Sequence, residues 1–223
     1  MSDGTVVAGR LNAFVDAAFA FAVTLVVTGA GGAASDSDSL QAAVKEAPAF
    51  LAAFALLVMF WYGHVRWRAL ELGDGRISVL LTLSLVFCVL IYVHPLRLMS
   101  LSAMDLLGIG TASSLDTLNT RDLFSLYGLV FFLLAGLIAA LFFQSWRDPA
   151  ATDLTKATAS GEFGVWAILA CAGALSLIIA TVTPVHFLAP WVYPLLGPAI
   201  GVFVWLHKWK PSGFSRDPSA LPD

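Results

Sequence analysis

Residues 9–27 read GRLNAFVDAAFAFAVTLVV, an apolar stretch of helix length that carries one carboxylate, Asp16, and begins beside Arg10. A charged side chain is costly inside a hydrocarbon layer, so an acidic residue in such a helix is a candidate functional residue. A second stretch, residues 60–66, reads FWYGHVR and brings aromatic, imidazole and guanidinium groups to the end of another apolar run. These two stretches predict a pair of membrane helices that must satisfy polar groups between them.

The composition indicates a protein dissolved in lipid. Of the 223 residues, 59% are hydrophobic and 12% are charged, about half the charged fraction of a typical soluble domain. The net charge of -3 and the lack of any basic run give no reason to expect a nucleic-acid partner. Cys88 and Cys171 lie inside apolar runs, which is typical of small packed side chains and predicts neither a disulfide nor a metal framework.

Six stretches are long enough to span a bilayer core, which takes about 20 helical residues. They predict an all-α integral membrane protein with helices at about 11–30, 47–66, 77–98, 124–145, 163–184 and 187–207. Residues 1–210 would form one transmembrane domain, and residues 211–223 a short polar tail. The alternative for the first stretch is a signal peptide over 11–28, but Asp16 inside its apolar core argues against it.

The distribution of Lys and Arg predicts the orientation, because cytoplasmic loops carry the excess of these residues. With a cytoplasmic N-terminus and six crossings, three of the 12 basic residues face outward: Lys45, Arg97 and Arg121. The other nine face the cytoplasm: Arg10, Arg66, Arg68, Arg76, Arg147, Lys156, Lys208, Lys210 and Arg216. Both termini are therefore expected on the cytoplasmic side, in a multi-pass protein of the cell's inner membrane.

Antiparallel packing of the first two helices would bring Asp16 to the depth of Trp61 and His64. The carboxylate would then meet either the His64 imidazole or the Trp61 indole N–H, which satisfies a group that lipid cannot. In the alternative interpretation, His64 reaches out to the membrane surface and Trp61 belongs to an interfacial aromatic belt. Spacing alone does not decide between the two.

A helical wheel of the first helix separates two faces. One face carries Phe14, Ala17, Phe21, Thr24, Leu25 and Thr28. Asp16 lies about 140° around the helix from Phe21, at ~100° per residue, so it is expected to face neighbouring helices. The pattern leaves open whether the Phe21 face meets lipid, an ordinary packing partner or an ion pathway.

Three motifs resemble those of the endosomal and lysosomal potassium channel family, transmembrane protein 175, and its bacterial relatives. Arg10, Phe14 and Asp16 match the family's Arg-x-x-x-Phe-Ser-Asp signature, and Thr24 follows eight residues after the aspartate. The other matches lie farther along the chain, at Trp61-x-x-His64 and at Pro95, which stands where the family has a proline closing the third helix.

The resemblance implies a homotetramer of six-helix subunits that forms a potassium-permeable cation channel and is not an enzyme. It implies a pore lined by the first helix, with a hydrophobic constriction in place of a carbonyl filter. Carried onto this chain, the pore-lining residues are Phe21, Thr24, Leu25 and Thr28. The polar network of the first two helices is Arg10, Asp16, Trp61 and His64. The partners implied are potassium ions, the bilayer and further copies of the chain, with no cofactor and no bound metal.

Two departures from the family pattern bear on conduction. Val15 stands where the family has serine, and Phe21 stands where isoleucine or leucine is usual. Four phenyl rings at a constriction would narrow the pore or close it by dewetting. The alternatives are therefore a secondary transporter or a non-conducting divergent member of the family. A membrane enzyme is disfavoured because the histidines are spread over both ends, His64 and His207 inside and His94 and His186 outside.

Overall fold

The computed structural model describes residues 3–28, 37–70, 72, 75–108 and 119–207, and every regular element in these ranges is helical. The α-helices are α1 Asp3–Thr28, α2 Ser37–Arg68, α3 Arg76–Leu106, α4 Thr120–Arg147, α5 Asp153–Val182 and α6 Leu196–His207, with a 3-10 helix at His186–Leu195 before α6. Within the described ranges, six helical segments are long and apolar enough to cross a membrane, the last formed by the 3-10 helix together with α6. The all-helical, six-span architecture predicted from the sequence is confirmed. Lys208, Lys210, Arg216 and the tail at 211–223 lie outside the described residues.

Consecutive helices from α2 to α5 run antiparallel, as contacts between their ends show. Glu46 near the start of α2 pairs with Arg97 of α3, with 3.1 Å between Oε2 and Nη2. Ser78 at the start of α3 donates to Gln144 near the end of α4 over 2.8 Å. Arg121 at the start of α4 donates to the carbonyls of Ala180 and Thr181 at the end of α5. We call the end of the bundle at which α1, α3 and α5 begin the proximal end, and the opposite end the distal end.

A cluster of aromatic rings from α2, α3 and α4 lies within the core. Phe60 of α2 is fully buried and meets Tyr92 and Phe131 edge to face, with ring centroids 5.9 and 5.4 Å apart. Tyr127 and Tyr193 extend this cluster toward the 3-10 helix. Since lipid tails are as apolar as these side chains, helix association in a membrane depends on such close packing rather than on exclusion from water.

Helices α4 and α5 approach each other backbone to backbone through two glycines. A Cβ added at Gly128 would lie 2.9 Å from the backbone nitrogen of Leu177, and one added at Gly173 would lie 2.7 Å from that of Phe132. Small residues at a membrane helix interface permit this distance of approach. Helices α4 and α5 are therefore closely packed against each other.

Several helices extend beyond the apolar stretches that predicted them. Helix α5 begins at Asp153 rather than near residue 163, because the Thr152 side chain caps it by accepting from the Thr155 N–H. Helix α2 begins before Pro48, which therefore lies inside the helix rather than at its start. Helix α3 continues to Leu106, so Pro95 does not close it. Hydropathy marks the membrane-embedded part of a helix, whereas capping and packing decide where it ends.

The span expected at 187–207 is not one continuous α-helix. Pro190 and Pro194 lie inside its first half, which forms the 3-10 helix. Proline removes a backbone donor and clashes with the preceding turn, so regular α-helix is disfavoured there. The segment is held instead by its neighbours: Ser176 of α5 donates to the carbonyl of Ala189 over 3.1 Å.

Candidate functional site

Over residues 9–27, where its side chains are described, helix α1 is buried along one face. Its buried face carries Val15, Phe19, Ala22 and Val26. The opposite face is exposed over Ala13, Phe14, Ala17, Ala20, Phe21 and Thr24. The rings of Phe14 and Phe21 on this face are 52% and 55% exposed. An exposed face on a membrane helix must meet lipid, water or another protein surface.

The four residues expected to line a pore divide between this face and its margin. Phe21 and Thr24 lie on the exposed face. The Thr24 hydroxyl donates to the carbonyl of Ala20 over 3.1 Å within the helix. Leu25 lies at the margin, half-buried, and packs against the core. The side chain of Thr28 lies outside the described part of the structure.

Asp16 lies at the edge of the exposed face of α1 and is anchored to α2. The Trp61 indole N–H donates to Asp16 Oδ1 over 2.8 Å. A hydrogen bond to a charged acceptor contributes about 1.5–3 kcal/mol. Of the two partners that antiparallel packing allows, Asp16 bonds to the indole.

His64 points into the protein interior. It is 2% exposed, and its ring lies 5.5 Å from that of Trp67. Its Nε2 has no hydrogen-bond partner among the described residues. Trp67 in turn donates to the Ser145 hydroxyl of α4 over 3.0 Å. The His64 side chain thus lies beside Trp67, which connects α2 to α4.

Arg10 is exposed at the proximal end of α1. Of the four residues expected to form the polar network, Asp16 and Trp61 are the pair joined by a hydrogen bond in the described chain.

A second buried ionic group lies on α5, where sequence reasoning did not place one. Glu162 is 4% exposed, and its Oε1 lies 2.6 Å from Nη2 of Arg66 on α2. Hydropathy alone puts the start of α5 near residue 163, which leaves Glu162 outside the helix. The sequence signal for an earlier helix start is the N-cap residue Thr152, followed by Asp153 in the first turn.

At the distal end of α1 the structure contains a small cavity of about 130 Å³. Its wall includes Val26 of α1, Phe50 of α2 and Leu101 of α3, with the Glu46–Arg97 ion pair at its side. Among the described residues, no group of three or more His, Cys, Asp or Glu side chains lies close enough to hold a metal ion.

The fold and this arrangement define a multi-pass α-helical membrane protein whose first helix keeps one face unpacked and is anchored through a carboxylate. Residues 10–91 match the sequence model of the family described as endosomal/lysosomal potassium channel TMEM175. A relative from Marivirga tractuosa, named potassium channel, is 25% identical over 216 residues, which cover 87% of this chain and 85% of the relative.

The fold also matches a solved structure, a crystal structure of a variant of the potassium channel MtTMEM175 in complex with a nanobody–MBP fusion protein. The TM-score is 0.76 at 23% identity, over 90% of this chain and 94% of that one. This likeness shows that the six spans share the arrangement of that protein. The family match over the first three helices, the relative and the shared fold together indicate a relationship to the TMEM175 family.

Proposed function

We propose that this protein is a potassium-permeable cation channel in which four copies of the chain surround a pore lined by α1. The observation that carries the proposal is the one-sided packing of α1. Its exposed face combines small residues, Ala13, Ala17 and Ala20, with Thr24, and has Asp16 at its edge. A hydroxyl and a carboxylate are unfavourable on a face turned to lipid. Polar groups in membrane helices typically face a bundle interior or a water-filled cavity. The resemblance of residues 10–91 to the potassium channel family supports conduction of potassium.

Phe21 is the proposed constriction. It is a large exposed side chain in the middle of the membrane-spanning part of α1, which runs over Gly9–Val27. In a fourfold arrangement such a residue comes nearest to the axis. An apolar ring resists ion passage because the ion must shed water there without gaining ligands. Thr24, Leu25 and Thr28 follow on the distal side of Phe21 and complete the proposed pore lining.

Potassium flux into liposomes that contain the purified protein tests the proposal. Phe21→Ala should raise the flux, because it widens the ring, and Phe21→Asn should change the preference between ions. The matched control is Phe87→Ala on α3, which removes a ring that is 66% exposed on another helix. Flux at the parent level in both Phe21 variants, together with a rise in Phe14→Ala, would move the constriction to Phe14.

Two further measurements separate the channel from its alternatives. The mass of the purified protein in detergent should correspond to four chains of 23.7 kDa. The flux should not saturate with ion concentration in the way of a carrier, and it should need no second ion. Saturating, coupled flux would identify a secondary transporter. No flux from either the parent or Phe21→Ala would identify a non-conducting member of the family.

A further inference from the structure

Helix α2 contacts α1 and α5 with opposite sides. Toward α1 it presents Trp61, which bonds to Asp16. Toward α5 it presents Gly63, which lies against Trp166, and Arg66, which pairs with Glu162. At ~100° per residue, Gly63 and Arg66 lie about 160° and 140° around α2 from Trp61. A displacement of α2 on its α5 side would therefore also move Trp61, which bonds to Asp16.

The first contact between α2 and α5 is the packing of an aromatic ring against a glycine. A Cβ added at Gly63 would overlap carbon atoms of the Trp166 indole. Trp166 is 5% exposed, and its ring centroid lies 5.8 Å from that of Phe60. The indole therefore packs on the α2 backbone itself, and this position tolerates no side chain while Trp166 keeps its place.

The second α5 contact is the ion pair of Glu162 with Arg66. Glu162 precedes Trp166 by four residues, so both lie on one face of α5, one turn apart. The Arg66 guanidinium also lies over the Tyr62 ring, 5.9 Å from its centroid. A buried carboxylate is expensive in a membrane-spanning segment, and apolar side chains would pack there at lower cost. The pair adds a directional contact between α2 and α5 beside the packing of Trp166 on Gly63.

We propose that Glu162 and Trp166 of α5 are positioning residues for the pore helix. Through Arg66 and Gly63 they hold α2 in place, and α2 holds Asp16 of α1 through Trp61. The second half of the chain, which supplies no residue to the proposed pore, thereby acts on the ion pathway. The effect on flux rests on the proposed function, whereas the mechanical link between α5 and Asp16 is testable without it.

The link is tested by a double-mutant cycle between Glu162→Gln on α5 and Asp16→Asn on α1, read as thermal stability of the purified protein. Substitutions at separated sites without shared partners usually add. Because both sites act on α2, we expect the double variant to lose less than the sum of the single losses. The control cycle pairs Asp16→Asn with Ser176→Ala, another buried polar residue of α5 that bonds to Ala189, and should be additive. Additivity in both cycles overturns the proposal.

A spectroscopic measurement at Trp61 distinguishes a positioning role of α5 from a general loss of protein stability. In protein labelled with 5-fluorotryptophan, the fluorine resonance of Trp61 is identified by its loss in Trp61→Phe. We expect Glu162→Gln and Gly63→Ala to shift or broaden this line and Ser176→Ala to leave it unchanged. The exchanged pair, Arg66→Glu with Glu162→Arg, should bring the line back toward its parent position. An unmoved Trp61 line in both Glu162→Gln and Gly63→Ala overturns the proposal.

Flux measurements on the same variants distinguish the two proposals. If the parent protein conducts, Glu162→Gln and Gly63→Ala should change the potassium flux, and the exchanged pair should restore it. If the parent does not conduct, the proposed function fails, while the Trp61 line and the mutant cycle still decide whether α5 positions α2. A conducting parent whose flux is unaffected by variants that do move the Trp61 line would contradict the role in the ion pathway.

Discussion

The Trp61 indole N–H donates a hydrogen bond to the Asp16 carboxylate. Trp61→Phe keeps an aromatic ring and removes that donor, so it should destabilise the protein by at most about 1.5–3 kcal/mol, the contribution of a hydrogen bond to a charged acceptor. The measurement is the thermal midpoint of the purified protein. Combined with Asp16→Ala, the loss should be smaller than the sum. Trp205→Phe is the control, because that ring is 77% exposed and should leave the midpoint unchanged. An equal loss in both Trp variants would show that the bond contributes nothing.

For single residues, the sequence predicts the depth of a side chain in the membrane but not the rotation of a helix about its own axis. Counting residues from the helix ends brings Asp16 to the level of both Trp61 and His64. Which of the two meets the carboxylate depends on how α2 is turned about its own axis, and that rotation is set by Phe60 and Gly63 packing against rings of other helices. His64 consequently points inward. The assignment of Phe21 and Thr24 to a pore stays a prediction.

At the scale of elements, the close approach of α4 and α5 makes their glycines sensitive to a single methyl group. Gly173→Ala would bring a Cβ to 2.7 Å from the backbone nitrogen of Phe132, and backbone atoms cannot move aside as a flexible side chain can. We expect a lower thermal midpoint, since overpacking of this kind costs about 1–3 kcal/mol. Gly136→Ala on α4 is the control. A Cβ added at Gly136 would meet no neighbouring helix or side chain within 4 Å, and alanine favours helix by about 1 kcal/mol. A similar loss in both variants would contradict the backbone contact.

The number and type of elements could be predicted from the sequence, but several of their ends could not. Six apolar stretches predict six spans because lipid imposes one length on every crossing. The extension at the start of α5, over residues 153–162, is largely polar, so hydropathy does not reveal it, and it depends on the Thr152 cap. The 3-10 helix before α6 contains Pro190 and Pro194 and is held by α5 through the bond from Ser176 to the Ala189 carbonyl. The longer α5 brings Glu162 into the packed helix, which is why hydropathy did not identify this residue.

For the whole molecule, the first three helices carry all of the motifs from which the function was predicted, and the family match over residues 10–91 ends within the third. The placement of α4, α5 and α6 follows from contacts between residues far apart in sequence, such as Gly63 with Trp166 and Ser78 with Gln144. No local sequence pattern predicts such contacts, because each one depends on the complementary shapes of two residues that are far apart in the sequence. The six-span fold was therefore predictable, whereas the contacts of α5 with α2 were not.

The arrangement of charges gives a final prediction, that the proximal end of the bundle faces the cytoplasm. Arg10, Arg66 and Arg147 lie at that end, and the excess of basic residues there favours retention inside. In a variant without Cys88 and Cys171, single cysteines are introduced at Leu107 and Ala150, which are both exposed, one at each end. A membrane-impermeant maleimide added to intact cells should label Leu107→Cys. Ala150→Cys should react only after the cells are opened. The reverse pattern would show that the topology is the opposite of the predicted one. Labelling of both positions in intact cells would contradict the single crossing that α4 makes between them.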